Sequence, residues 1–230
     1  MKNLGPIQKS AIEIYSQLLK KHINLLISIE RQTTSNVDLA ITWEKEKVHK
    51  PNEFGYYQSG DSQIATIYEF LIDFKLSSLI ELGCGTGLIG DILNDFYPNL
   101  SFENDSFSYK GFENEQCLID IGKKYFRSAH NIENKDLLSL KKEDLIFANT
   151  VSFHKKSKPA KAKAIYMFEP FSNEKVAFKF NNSLIELMCK NQYLLYASVS
   201  EDRIKKVNDH PFMKHIKSQN RISIFQKVNN

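Results

Sequence analysis

Three glycines within five residues constrain the fold of this chain more than any other feature. The apolar run at residues 76–82 ends in the letters LIEL, the turn at residues 83–87 reads GCGTG, and apolar residues then recur with helical spacing over residues 88–96. This pattern predicts a buried strand, a tight turn and a helix. Glycines let a backbone adopt positive φ and pass close beneath a ligand, and the helix that follows offers free N–H groups and the positive end of its dipole. The segment therefore predicts a ligand-binding strand–turn–helix unit.

Segments with helical and strand-like spacing alternate along most of the chain. Helical spacing recurs over residues 64–74, 88–96, 116–125 and 176–188, and short apolar or alternating runs occur over residues 109–113, 164–168, 193–197 and 221–228. Repeated alternation of this kind predicts an α/β fold with a parallel sheet.

Residues 1–60 differ from the rest of the chain. Apolar residues at helical spacing over residues 12–29 predict an amphipathic helix, whereas residues 32–60 are polar and are interrupted by Pro51, Gly55 and Gly60. We therefore expect an N-terminal helical cover and loop over residues 1–60, followed by one domain over residues 61–230.

The segment at residues 81–87, ELGCGTG, resembles the first motif of class I S-adenosylmethionine-dependent methyltransferases. In that motif an acidic residue stands two places before a Gly-x-Gly-x-Gly turn that follows the first strand. The resemblance implies a Rossmann-like fold, a three-layer α/β sandwich whose mostly parallel sheet has an antiparallel last strand. It also implies that S-adenosylmethionine binds at the turn and leaves as S-adenosylhomocysteine. The cofactor-binding residues that it implies here are Glu81, Gly83, Cys84, Gly85 and Gly87.

A dinucleotide is the rival ligand for this turn. Gly85, Gly87 and Gly90 also satisfy G-x-G-x-x-G, the fingerprint that cradles a pyrophosphate. Glu81 favours the methyl donor, because a carboxylate repels a pyrophosphate and attracts the sulfonium and ammonium groups of S-adenosylmethionine. The third interpretation is a turn that binds no ligand, and three glycines in five residues argue against it.

Two further acidic residues extend the resemblance. Glu113 ends the second predicted strand, where the resemblance implies a ribose anchor; the alternative is a surface glutamate. Asp136 is similar to the acidic position after the third strand that reads the adenine amino group; the alternative is a residue that caps a turn. In either case Leu137 is placed to pack on the purine face.

The segment Glu169-Pro170-Phe171 follows the apolar run at residues 164–168. It resembles, in outline, the Asp/Asn-Pro-Pro-Tyr/Phe motif of amino-methylating enzymes, but its first residue is Glu and one proline is missing, which argues against amide or base methylation. The resemblance implies that Glu169 lies on the reaction face as the candidate catalytic residue. Residues 144–149 and Ala164–Phe168 both remain candidates for the fourth strand, although the lysine-rich gap between them is short for a helical crossover.

Two aromatic residues, Tyr56 and Tyr57, stand out in the polar segment before the domain. In similar enzymes the N-terminal segment closes over the cofactor, so the resemblance implies that Tyr57 is a cofactor-binding residue. The alternative is that both tyrosines are core aromatics.

Composition excludes some classes of partner. The net charge of +4 arises from 31 basic and 27 acidic residues, so nucleic acid is possible but not favoured. The five lysines within residues 154–163 predict a solvated loop or a basic contact patch.

The three cysteines, Cys84, Cys117 and Cys189, have no zinc-binding spacing, so we expect no metal and a reducing, cytoplasmic location. No apolar run approaches about twenty residues, so we expect no signal peptide and no membrane span.

Function follows from the first motif. The leading hypothesis is an S-adenosylmethionine-dependent methyltransferase acting on a protein side chain or a small molecule. One alternative is a nucleic-acid methyltransferase, in which the lysines hold phosphate and Phe171 stacks on a base. Another is a methyltransferase-like binding subunit without catalysis, which the imperfect fourth motif suggests. An oxidoreductase ranks last, because no Tyr-x-x-x-Lys constellation follows the glycines.

Overall fold

A computed structural model of the chain describes residues 59–96, 107–146, 164–171 and 173–229. The predicted helix at residues 12–29, the candidate ligand Tyr57 and the lysine tract at residues 154–163 lie outside the described residues.

Within those ranges the chain forms five α-helices and seven strands. The helices are α1 (Asp61–Asp73), α2 (Leu88–Phe96), α3 (Gln116–Tyr125), α4 (Glu174–Leu187) and α5 (Glu201–Asn208). The strands are β1 (Ser78–Leu82), β2 (Ser108–Glu113), β3 (Ile132–Asn134), β4 (Ala164–Phe168), β5 (Tyr193–Ala197), β6 (Met213–Gln219) and β7 (Ile222–Lys227). Short 3₁₀ turns occur at Arg127–Asn131, Leu137–Ser139 and Lys142–Leu145.

The seven strands form one sheet in the order β3-β2-β1-β4-β5-β7-β6. Strands β1 to β5 are parallel, and β7 is antiparallel to both β5 and β6. The predicted α/β fold, with a mostly parallel sheet and an antiparallel last strand, is therefore confirmed. The structure also decides between the two candidates for the fourth strand, because Ala164–Phe168 pairs with both β1 and β5 whereas residues 142–145 form a 3₁₀ turn.

The central strands are buried on both faces of the sheet, which explains why β1, β4 and β5 are nearly continuous apolar runs. Successive residues point to opposite faces, so that Leu79 belongs to one core cluster and Ile80 to the other. The first cluster contains the apolar faces of α1 and α2, and the second contains those of α4 and α5. The molecule is thus a sandwich of helices, sheet and helices.

The strand order changes direction at β1. The chain runs outward from β1 through β2 to β3 and then returns to β4 on the other side of β1. In open α/β sheets the ligand crevice lies outside the carboxyl ends of the strands at such a point. The glycine-rich turn, which directly follows β1, lies at this position.

Candidate functional site

The glycine turn after β1 has a backbone that other residues adopt only with strain. Gly83, Gly85 and Gly87 have φ values of +71°, +55° and +82°. This is the left-handed region, where a Cβ is unfavourable. The amides of Gly83 and Cys84 donate to the Phe112 carbonyl at 2.9 and 3.1 Å, so the turn is fixed against the end of β2.

The turn is also supported by α3 and the 3₁₀ turn that follows it. A Cβ on Gly122, in α3, would lie 2.2 Å from the Thr86 carbonyl oxygen. The Ser128 hydroxyl donates to the Gly87 carbonyl at 2.6 Å. Sequence reasoning did not single out Gly122 or Ser128, because neither stands in a recognisable motif.

Glu113 lies at the end of β2 and reaches the glycine turn. Its carboxylate accepts the Gly85 amide on Oε2 at 2.8 Å, and the amides of Asn114 and Glu115 on Oε1 at 2.9 and 3.1 Å. Burial raises the pKa of the Glu113 carboxyl, and the three amides oppose that rise by stabilising the charged form. The side chain is buried rather than on the surface, so the structure brings two of the predicted site elements together.

Glu81 and Cys84 are buried beside this contact. Glu81 is 5% exposed, and the Tyr109 hydroxyl donates to its Oε2 at 2.7 Å. Burial raises the pKa of the Cys84 thiol, and the charges of Glu81 and Glu113 raise it further. Cys84 is therefore a neutral thiol that packs within the turn.

The exposed Asp136 caps the 3₁₀ turn that follows β3. Its Oδ1 accepts the Leu138 amide at 2.9 Å, which agrees with the alternative that we considered for this residue. Leu137 is buried in the second core cluster, and Leu138 is 55% exposed. The amide of Lys135 donates to the Glu113 carbonyl at 2.8 Å, so this segment begins beside the end of β2. A contact between Asp136 and adenine stays a prediction.

Glu169 connects the ends of β4 and β5. Its Oε1 accepts the amides of Val199 and Ser200 at 3.0 and 3.3 Å and the hydroxyl of Ser198. The guanidinium of Arg203, in α5, lies 3.9 Å from the same oxygen. The backbone of Glu169 has a φ of +35°, a strained value for a residue with a Cβ.

The segment after β4 also lies beside the glycine turn. A Cβ on Gly83 would be 3.4 Å from the Cβ of Pro170, the residue after Glu169. The first and fourth predicted motifs are therefore neighbours in the fold, although they are far apart in sequence.

Solved structures of similar fold include a methyltransferase from Geobacter sulfurreducens, with a TM-score of 0.51 over 88% of this chain and 90% of that one, at 6% sequence identity. The magnesium protoporphyrin IX methyltransferase of Synechocystis, solved with bound S-adenosylmethionine, has a TM-score of 0.48 over 77% of this chain and 89% of its own, at 12% identity. No protein-family model matches the sequence, and no curated protein matches it significantly. The sheet order and the first of these structures together define the fold. It is a Rossmann-like methyltransferase fold.

In this methyltransferase fold the predicted site residues fall into three groups. Glu81, the glycines, Cys84 and Glu113 meet at the carboxyl ends of β1 and β2, with Glu169 close by at the end of β4. Asp136 lies past β3 and is occupied in capping. Tyr57 is outside the described residues.

The described part of the methyltransferase fold contains no group of three or more side chains that could hold a metal ion, and its three cysteines are free thiols. Its helices are all too short or too polar to cross a bilayer.

Proposed function

We propose that this chain is an S-adenosylmethionine-dependent methyltransferase. The observation that carries the proposal is the contact between the buried Glu113 carboxylate and the Gly85 amide of the glycine turn. It joins the acid that would bind a ribose to the backbone that would pass beneath the nucleoside. Two motifs that the sequence separates by a strand and a helix thus form one site.

The residues present fit the chemistry of this cofactor. Glu113 lies against a turn built on three glycines, and its Oε2, which among the described residues accepts only the Gly85 amide, has a second lone pair that suits a ribose hydroxyl as donor. Glu81, buried on the neighbouring strand, places a second carboxyl group beside the same turn. Two carboxylates at one turn oppose a pyrophosphate and favour a sulfonium, so the same geometry argues against a dinucleotide.

The bound cofactor supplies a methyl group on a positively charged sulfur. The chain then has to orient an acceptor atom in line with that methyl group and exclude water, because proximity accounts for most of the rate of such a displacement. Glu169 is our candidate for the polar contact with the acceptor. Its carboxylate is held beside Pro170 by the loop at residues 198–200, and its strained backbone is typical of functional positions.

The acceptor that we propose is a protein side chain or a small molecule. The fourth motif departs from that of enzymes that methylate amides or bases, as Glu169 replaces Asp or Asn and one proline is missing. Three free thiols in the described residues are consistent with a reducing compartment, and we propose the cytoplasm.

Titration calorimetry with S-adenosylmethionine and, separately, with a nicotinamide dinucleotide tests the cofactor. We expect only S-adenosylmethionine to bind, and we expect Gly85→Val and Glu113→Ala to abolish binding. Glu174→Ala is the control, because this exposed side chain lies on α4. Binding of the dinucleotide alone would replace our proposal with an oxidoreductase, and binding of neither ligand would favour a scaffold.

Transfer of a tritiated methyl group from the cofactor to protein, small-molecule and nucleic-acid fractions of a cell extract tests activity. We expect label in the protein or small-molecule fraction, and a decrease in kcat of about 100-fold in Glu169→Gln with an unchanged cofactor affinity. Label in nucleic acid alone would overturn the proposed acceptor. Cofactor binding without transfer to any fraction would identify a non-catalytic binding subunit.

A further inference from the structure

Tyr109 is a buried tyrosine whose hydroxyl faces the candidate cofactor site. It lies in β2, is 5% exposed, and donates its hydroxyl hydrogen to Oε2 of Glu81 at 2.7 Å. Burial raises the pKa of this phenol well above its ordinary value, and the neighbouring Cys84 and Glu81 raise it further. The hydroxyl therefore stays protonated and remains a donor.

Two glycines leave the space through which this side chain reaches Glu81. Gly111 is the β2 residue that pairs with Glu81, and a Cβ on it would lie 3.0 Å from the Tyr109 hydroxyl and 2.5 Å from the Cys84 sulfur. A Cβ on Gly90, in α2, would lie 2.6 Å from the Tyr109 ring. Because strand residues two apart share a face, Tyr109 extends along β2 over Gly111 to the carboxylate.

We propose that Tyr109 is a positioning residue that holds the Glu81 carboxylate toward the cationic end of the cofactor, so that the site prefers the charged methyl donor over neutral adenosine derivatives. This inference rests on the proposed function. It adds a residue that no motif contains and assigns it to ligand selectivity rather than to the general strength of binding.

The choice of a tyrosine as the hydrogen-bond donor to Glu81 explains the proposed selectivity for charged ligands. A buried carboxylate needs hydrogen bonds to remain charged, because burial without a partner favours the neutral acid. Lysine or arginine would provide those bonds but would also cancel the negative charge. A phenol hydroxyl provides a bond without adding charge, so the carboxylate keeps its attraction for a sulfonium or an ammonium group.

Titration calorimetry of Tyr109→Phe with two ligands tests the inference. S-adenosylmethionine carries the sulfonium and ammonium charges, whereas 5′-methylthioadenosine has the same nucleoside and neither charge. We expect the dissociation constant of S-adenosylmethionine to rise about 10-fold, as for the loss of a hydrogen bond to a charged group, and that of 5′-methylthioadenosine to change less than about 2-fold.

Tyr166→Phe is the matched control. Tyr166 is also buried, it pairs with Glu81 in the β1–β4 register, and its hydroxyl bonds to the Ser59 hydroxyl at 2.6 Å. We expect this variant to leave the ratio of the two affinities unchanged. The ratio is a robust measure, because both ligands bind the same folded molecules and partial unfolding affects both equally.

A double-mutant cycle with Glu81→Gln completes the test. If Tyr109 acts through Glu81, Tyr109→Phe causes no further loss of S-adenosylmethionine affinity in the Glu81→Gln background. Equal weakening of both ligands by Tyr109→Phe, no weakening of either, or a loss that persists without the Glu81 charge each overturns the inference while the proposed function stands. A wild-type protein that binds neither ligand overturns the proposed function and this inference with it.

Discussion

Glu113, the proposed ribose anchor, also affects how stability depends on pH. Its buried carboxyl has a raised pKa, above the ordinary 4.5, so the folded protein holds this proton more tightly than the unfolded chain does. The contribution of Glu113 to the free energy of unfolding is therefore complete below pH 4.5 and is lost as the pH rises through the folded-state pKa. The fold therefore accommodates this carboxyl best in its neutral form.

We expect the wild-type protein to lose stability relative to Glu113→Gln as the pH rises above 4.5. Urea unfolding of both proteins over a series of pH values measures the difference between their free energies of unfolding. The matched variant Glu143→Gln, in an exposed 3₁₀ turn, is the control for the change from acid to amide. A difference that stays constant with pH, or that grows in favour of the wild type, would contradict this expectation.

Helix α3 determines the shape of the glycine turn without containing any of its residues. The interior position of Gly122 would ordinarily favour alanine, which is better than glycine in a helix by about 1 kcal/mol. Here an added Cβ would lie 2.2 Å from the Thr86 carbonyl oxygen, a backbone atom that cannot rotate away. Packing against the turn therefore outweighs helix propensity at this position.

We expect Gly122→Ala to lower the free energy of unfolding by about 1–3 kcal/mol, the range for overpacking, and to weaken S-adenosylmethionine binding as well. Thermal unfolding and calorimetry measure the two effects. Gly60→Ser is the control, because nothing lies within 4 Å of a Cβ at Gly60 and serine suits its position as the N-cap of α1. A Gly122→Ala protein that is more stable and binds normally would show that the turn is not held by α3.

The sequence predicts a helix or strand accurately where that element has many apolar residues. The bounds of α2, α3, β4 and β5 agree with those expected, because each carries a buried face or a continuous apolar run. Helix α5 and strand β6 were not predicted. Only Arg203 and Val207 are buried in α5, and β6, with the letters MKHIKSQ, is an edge strand that has mostly exposed side chains. Such elements are determined by the neighbour that they pair with or cover.

At the scale of the whole molecule, the sequence indicates candidate site residues but not the residues that they contact. The motifs indicated Glu81, the glycines and Glu113 as candidates. The bonds from Gly85 to Glu113 and from Tyr109 to Glu81 each join residues 28 apart in sequence, and both depend on the parallel register of β1 and β2. No local pattern encodes that register. The contact of Tyr109 with Glu81 therefore became visible only with the sheet.

The domain boundary predicted near residue 60 decides which helices belong to the folding unit. Helix α1 contributes Ile64, Ile67, Phe70 and Leu71 to the core, all with no exposed surface. Just before it, Ser59 bonds to Tyr166 in the centre of the sheet. Burial of four such side chains is worth roughly 6–12 kcal/mol, which is comparable to the total stability of a typical domain. The folding unit must therefore include α1.

We expect a shortened chain of residues 59–230 to unfold cooperatively and to keep its near-ultraviolet circular dichroism. A chain of residues 76–230, which lacks α1, should instead bind the dye ANS and lose the sharp thermal transition, because the sheet face beneath α1 becomes exposed. If residues 59–230 behave like the shorter chain, residues 1–58 complete the core and the boundary is wrong. If residues 76–230 unfold cooperatively, the sheet needs no cover on the face beneath α1. The burial of α1 then contributes far less free energy than its buried area indicates.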